Sequence, residues 1–166
     1  MRLPALMCTL YLGAVSGVVA APAAGGANLK PGEAAGKLTV NGESATLTHA
    51  YLTMDQGAPV VTLTNIPVGP EFRNQALMFE KRDAVKEGKL YLINVKLDAQ
   101  GQVQSCDIYH RKLGQMQHTN VVGLNSFEKA EMAAGHVRGR AFMKAPFKSA
   151  DGETEILYDV SFNAAP

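Results

Sequence analysis

Residues 89–110, KLYLINVKLDAQGQVQSCDIYH, form the clearest predicted β-hairpin in this chain. Apolar residues alternate through its first half, the period of a strand with one buried face: Tyr91, Ile93, Val95 and Leu97. The following Asp-Ala-Gln-Gly at 98–101 is a polar turn that ends in glycine, which suits a type I turn followed by a residue at positive φ. The pattern predicts two antiparallel strands, and the segments on either side continue the same sheet system.

The second strand of this hairpin has two registers that fit the sequence. A four-residue loop places Cys106 and Ile108 on the same face as Ile93, which gives an apolar face for the core. A bulge at Gly101 gives the more usual turn but shifts the register by one residue, so that Asp107 joins that face instead. We prefer the first register because it buries the apolar residues.

The rest of the chain predicts more strands and one helix. Alternating or β-branched segments, separated by Gly, Pro and Asn turns, predict strands at 36–40, 46–54, 60–64, 121–127, 136–143 and 155–162. Asn41-Gly42 is a strong two-residue hairpin turn. Residues 71–87 predict the helix, since Pro70 suits a helix start and Gly88 a helix end. Residues 128–135 are interpreted as a charged connection or helical turn.

Short connections between strands favour antiparallel neighbours, because parallel strands need a long crossover. The predicted fold is therefore all-β, an antiparallel β-sandwich or closed barrel of about eight strands with one packed helix.

The N-terminus has the pattern of a secretory signal. Arg2 supplies a positive charge, and residues 6–20 are apolar, a run too short for a membrane span of about 20 residues. We predict a signal peptide at 1–20, cut after Ala20 or as late as residue 23, then a flexible spacer at 21–35 and a single β-rich domain at 36–166. The expected location is periplasmic or secreted, with no membrane span after processing.

Charge and cysteine content limit the classes of function. Without Arg2 the chain holds 15 basic and 15 acidic residues, so no basic surface is predicted for nucleic acid. Cys8 lies in the signal, which leaves Cys106 alone and allows no intrachain disulfide.

Candidate functional residues are few. Four histidines follow the signal, at positions 49, 110, 118 and 136, and no two have the close spacing typical of zinc ligands. We predict no metal and no cofactor. A catalytic thiol needs a base that lowers its pKa, and a small buried hydrophobe is the preferred interpretation of the one cysteine. The candidate functional cluster is His49, Cys106, Asp107, His110 and His136.

The stretch GKLTVNG at 36–42, leading to LTHAY at 47–51, resembles the start of some uncharacterised exported bacterial proteins. The similarity extends through the strand end at 63–67, the following helix and the Gly-Lys-Leu strand that leads into the hairpin. The resemblance implies a bacterial envelope setting and a β-rich domain. It assigns no activity and no catalytic residue.

These observations favour a domain that acts by binding, without catalysis, with another envelope protein as its partner. The alternative is a carrier of a small apolar ligand with an interior pocket, since about eight strands can enclose one small molecule. A hydrolase is a more distant alternative, because it requires the candidate residues to meet in one cleft.

Overall fold

The computed structural model describes residues 28–70, 78–114, 118–121, 125–133 and 135–166. Within them ten strands and one helix form: β1 Glu33–Val40, β2 Glu43–Asp55, β3 Ala58–Thr64, α1 Met78–Lys86, β4 Leu92–Leu97, β5 Val103–Tyr109, β6 His118–Asn120, β7 Asn125–Ala133, β8 His136–Met143, β9 Phe147–Lys148 and β10 Glu155–Ala164. All pairings between strands are antiparallel, in the order β6-β5-β4-β3-β2-β1-β10-β8-β7, with β9 added to β10. The prediction of an all-β antiparallel fold with one helix is confirmed.

The sheet curls around one core. β5 and β7 lie near opposite edges of the sheet, yet they contact each other. Across the interior, the Cys106 Sγ on β5 lies 3.4 Å from the Tyr158 Oη on β10. The alternating residues of β10 all point inward and are 0–1% exposed, as predicted: Ile156, Tyr158, Val160 and Phe162. Burial of large apolar side chains contributes about 1.5–3 kcal/mol each, so this strand is central to stability.

The hairpin of β4 and β5 combines features of both predicted registers. The Asp98 N–H donates to the Gln102 carbonyl and Gly101 has a φ of 78°. The turn therefore contains the bulge at Gly101 that shifts the register by one residue. Lys96 pairs with Ser105 while Leu97 pairs with Val103, so the residue between them, Gln104, is a second bulge that shifts the register back. Cys106 therefore pairs with Val95 and faces the core, as preferred from the sequence.

Helix α1 packs on the outer face of the sheet. Val85 forms a small buried cluster with Leu90, Leu92 and Tyr109, which belong to β4, β5 and the segment before β4. The Gly88 N–H donates to the Val85 carbonyl at 2.9 Å, which ends the helix at the predicted glycine. The first part of the predicted helix, residues 71–77, lies outside the described residues.

The prediction for residues 128–135 is wrong, because most of this segment belongs to β7. Its charges lie beside cross-strand partners on β8: Glu128 contacts Arg140 at 3.3 Å and Glu131 contacts Arg138 at 3.1 Å. Cross-strand ion pairs stabilise a sheet surface, so a charged segment can still be a strand. Gly139 pairs with β7, and a Cβ there would press on the Glu128 carbonyl, so the close approach of β7 and β8 requires glycine at this position.

β1 begins at Glu33, inside the predicted spacer. Ala34 is buried and pairs with Phe162 of β10, so these first residues belong to the sheet. The predicted signal peptide and its cleavage positions lie outside the described residues.

Candidate functional site

The five candidate residues of the sequence do not meet in one cleft. Cys106 points into the core, whereas Asp107, next to it, lies on the outer face and accepts a hydrogen bond from Asn120 at 2.8 Å. His49 lies within β2 and stacks on Tyr51. The other two lie at strand ends, His136 beside Glu131 and His110 after β5. The side chain of His118 is outside the described residues, which contain no group of three or more ligands suited to a metal ion.

Cys106 is fully buried. Burial raises the pKa of its thiol to about 12, although a hydrogen bond with Tyr158 favours the thiolate slightly. The thiol is therefore protonated at neutral pH, and only a thiolate is an effective nucleophile. The interpretation of Cys106 as a small buried hydrophobe agrees with this position.

We expect Cys106 in the folded protein to react with a thiol reagent such as dithiobis(nitrobenzoate) about a thousandfold or more slowly than in denaturant, because reaction requires opening of the core. The measurement is the rate of thiolate release with and without urea. A Cys106→Ala/Ala99→Cys variant, with its thiol on an exposed turn, serves as the rapidly labelled control. Equal rates for folded and unfolded wild type would contradict this placement.

A polar cluster was not predicted from the sequence. The Glu43 cluster, as we call it, consists of Glu43, Tyr91, His110, Arg111 and Lys112. The Glu43 carboxylate accepts hydrogen bonds from the Tyr91 hydroxyl at 2.9 Å and from the Arg111 Nε and Nη2 at 2.6 and 2.9 Å. The Tyr91 and His110 rings lie 4.5 Å apart. The cluster thus joins the start of β2, the start of β4 and the end of β5.

The charges and pKa values of the Glu43 cluster fit a role in holding the strand ends together better than a role as a catalytic acid or base. Hydrogen bonds from Arg111 are the main reason that the pKa of Glu43 falls to about 2, so the carboxylate stays ionised and paired. Burial lowers the pKa of His110 to about 4. The His110 Nδ1 accepts from the Lys112 N–H at 3.2 Å, which places the ring proton on Nε2. Among the described residues Nε2 has no hydrogen-bond partner, and Glu43 Oε1 is 4.0 Å away.

The second unpredicted feature is an apolar groove at the other end of β2. The hairpin groove, as we call it, lies between the β2–β3, β4–β5 and β7–β8 turns and has a volume of about 570 Å³. Its lining is mainly apolar and includes Leu52, Met54, Pro59, Met132 and Val137. Lys129 is the one charged residue among the described residues that line it. A smaller hollow of about 380 Å³ between β5 and β7 is more polar, with Ser126, Glu128 and Lys144 in its lining.

The hairpin groove differs from the interior pocket expected of a carrier, because it lies at the end of the sheet beside the strand turns, where Leu52 and Val137 of the core form part of its lining. Sequence patterns did not find it, since its residues come from three turns far apart in the chain. One local signal was present: a methionine, Met54, directly before a predicted turn.

The described residues contain no helix that is long and apolar enough to cross a membrane. Comparison of the chain with protein-family models, curated proteins and solved structures found no match.

Proposed function

We propose that this protein is an exported, non-catalytic binding protein that holds a small apolar molecule in the hairpin groove. The observation that carries this proposal is the volume and lining of the groove. Its 570 Å³ falls within the range of about 300–1,000 Å³ typical of small-molecule sites, which are also predominantly apolar.

The methionines at the groove support binding of an apolar molecule. Met54 is 63% exposed, which is a large apolar surface to leave in water. Met132 also contributes to the lining. Methionine side chains are flexible and polarizable, so they adapt to ligands of different shapes. A ligand in the groove would remove their surface from water, and this burial provides the driving force for binding.

A small molecule fits these observations better than the envelope-protein partner expected from the sequence. A standard protein interface covers about 800 Å² on each partner and has an apolar centre. Three large apolar side chains of the described residues are exposed, and they belong to separate elements: Met54 on β2, Ile66 after β3 and Leu157 on β10. They do not form one broad apolar surface.

The polar groups that most resemble catalytic ones have structural roles, which favours binding without catalysis. Cys106 is held as a thiol in the core, and its pKa is raised by burial. Glu43 is held in an ion pair with Arg111, and His110 is buried beside it. Catalytic acids and bases need a pKa close to the working pH and access to substrate. The pKa of each of these groups lies far from neutral, and Cys106 and His110 are also buried.

A neutral fluorescent probe, N-phenyl-1-naphthylamine, tests the proposal directly. The chain contains no tryptophan, so probe emission can be followed without interference. We expect the folded protein to raise probe emission and octan-1-ol to displace the probe. The variant Ala99→Phe, which adds bulk at the groove lining on an exposed turn, should weaken probe binding about tenfold or more, since it fills the site with little strain.

The matched control is Ala150→Phe, which makes the same change on an exposed turn next to β9. This variant should bind the probe as the wild type does. Probe binding that is absent from the wild type, or equal in the wild type and Ala99→Phe, would refute the proposed function.

A further inference from the structure

We infer that the ligand of the hairpin groove is a monoanionic amphiphile whose charged group binds to Lys129. This inference rests on the proposed function and specifies the class of ligand. It follows from the position of the Lys129 side chain and from the pairing of the other charges around the groove.

The Lys129 side chain lies across the β4–β5 turn. A Cβ built on Gly101 would be 3.3 Å from the Lys129 Cδ and 3.9 Å from its Nζ. The same position would be 3.3 Å from the Met132 Sδ. Both side chains therefore lie over position 101, which has no side chain, and both belong to the groove lining.

Two ion pairs flank the groove, and the carboxylate of Asp98 in the β4–β5 turn accepts hydrogen bonds from the backbone N–H groups of Gln100 and Gln102 at 2.9 and 2.7 Å. Asp55, which follows Met54, forms an ion pair with Lys96 at 2.8 Å. Glu131, which precedes Met132, pairs with Arg138 at 3.1 Å. By contrast, no carboxylate of the residues that the structure describes lies within ion-pair distance of Lys129. Lys129 therefore has no ion-pair partner among the described residues, and it lies beside an apolar surface.

This combination of one cation and an apolar groove matches a molecule with an apolar chain and one negative charge. A lysine ammonium is a point charge on a flexible stem, so it binds carboxylate, sulfonate or phosphate without requiring a fixed geometry. The apolar lining accepts the chain, and the charged head stays at the solvent edge, since Lys129 is an exposed residue. Neutral and cationic chains of the same length lack this contact.

Three probes that share an eight-carbon chain test the inference: octanoate, octan-1-ol and octylammonium. Their affinities are measured at pH 7 and low salt by displacement of N-phenyl-1-naphthylamine. We expect octanoate to bind most tightly and octylammonium most weakly. Lys129→Met keeps an unbranched apolar side chain and removes the charge. It should weaken octanoate binding about two- to fivefold, the effect of one exposed ion pair, relative to the binding of octan-1-ol to the same variant.

Lys37→Met on β1 is the control, since Lys37 is exposed and lies outside the groove lining; it should leave all three affinities unchanged. Added salt should reduce the preference for octanoate. Equal binding of octanoate and octan-1-ol, or a preference for octanoate that survives Lys129→Met, would overturn the inference while the proposed function stands. Failure of all three probes to displace the dye from wild type would refute the proposed function itself.

Discussion

The free energy of unfolding is expected to fall by about 3 kcal/mol between pH 7 and pH 4 through His110 alone. Burial lowers the pKa of this histidine to about 4 in the folded protein, whereas the unfolded chain has the ordinary value near 6.5. Between these pH values the unfolded chain binds a proton that the folded chain does not. The contribution of His110 to the free energy of unfolding is therefore fully present above pH 6.5. It decreases as the pH falls and is lost below pH 4.

The pH dependence has a clear origin in the surroundings of His110. Its side chain is fully buried against Tyr91, so an imidazolium would lose its hydration. Glu43 favours the charged form, but Arg111 and Lys112 oppose it, and burial is the largest effect. Protonation would therefore favour opening of the cluster.

The test is urea unfolding of wild type and His110→Phe at pH 7, 5.5 and 4. The phenyl ring keeps the contact with Tyr91 and removes the titrating group, so the variant should lose about 3 kcal/mol less than wild type over this range. His49→Phe controls for the replacement of an imidazole by a phenyl ring at a half-buried strand position, and it should retain the loss of stability that His110 causes, because His110 is unchanged. A second loss below pH 4.5 should remain in all three proteins, because the pKa of Glu43 is lowered to about 2 in the folded state. Identical curves for wild type and His110→Phe would show that the folded protein does not hold His110 uncharged.

Replacing Lys81 with methionine is expected to stabilise the protein by about 1–3 kcal/mol at pH 7. Lys81 is 1% exposed on α1, one turn before the buried Val85, so it faces the sheet. Burial lowers the pKa of its ammonium group, which means that the folded state disfavours this charge. Two buried polar groups of β3 and β4 are already paired with each other, since the Thr62 hydroxyl donates to the Asn94 side chain at 2.8 Å.

The dependence of the free energy of unfolding on pH above 7 provides the sharper test of the buried charge on Lys81. Because its folded pKa is lowered, the unfolded chain binds more protons at pH values below the ordinary value of 10.5, and wild-type stability should rise as the pH approaches it. The advantage of Lys81→Met should therefore shrink between pH 7 and pH 10. Lys86→Met, on the same helix but exposed, should have an effect within about 0.5 kcal/mol at both pH values. A Lys81→Met variant that is less stable than wild type at pH 7 would contradict the account of an unfavourable buried charge.

Periodicity predicted the strands that have one buried face, because alternation is a local property. The four inward residues of β10 and the bounds of β8 are examples, and both are as predicted. The hairpin of β4 and β5 shows where periodicity alone does not predict the register. Val103 and Cys106 are three positions apart, so both can face the core only if a residue between them bulges. This odd spacing of two inward-facing residues is visible in the sequence. Predicting both bulges also requires knowing the type of turn at Gly101.

Contacts between residues that are distant in the chain determine the features that the sequence did not predict. The charges at 128–131 suggested a connection, yet Arg138 and Arg140 on β8 make the same segment a strand. Lysine is typically a surface residue, and Lys81 is buried only because of the way α1 lies over the sheet. The Glu43 cluster and the hairpin groove each combine residues from several strand ends, so no spacing in the sequence identifies them.

Binding of an apolar molecule in the hairpin groove is the central claim, and methionine methyl signals test it most directly. After the predicted signal peptide the chain contains Met54, Met78, Met116, Met132 and Met143, so a protein labelled at the methionine methyl carbon gives a simple spectrum that single Met→Leu variants can assign. Titration with octan-1-ol should shift the signals of Met54 and Met132, which line the groove, and leave that of the buried Met143 unchanged. Saturable binding that leaves Met54 and Met132 unmoved would contradict the claim.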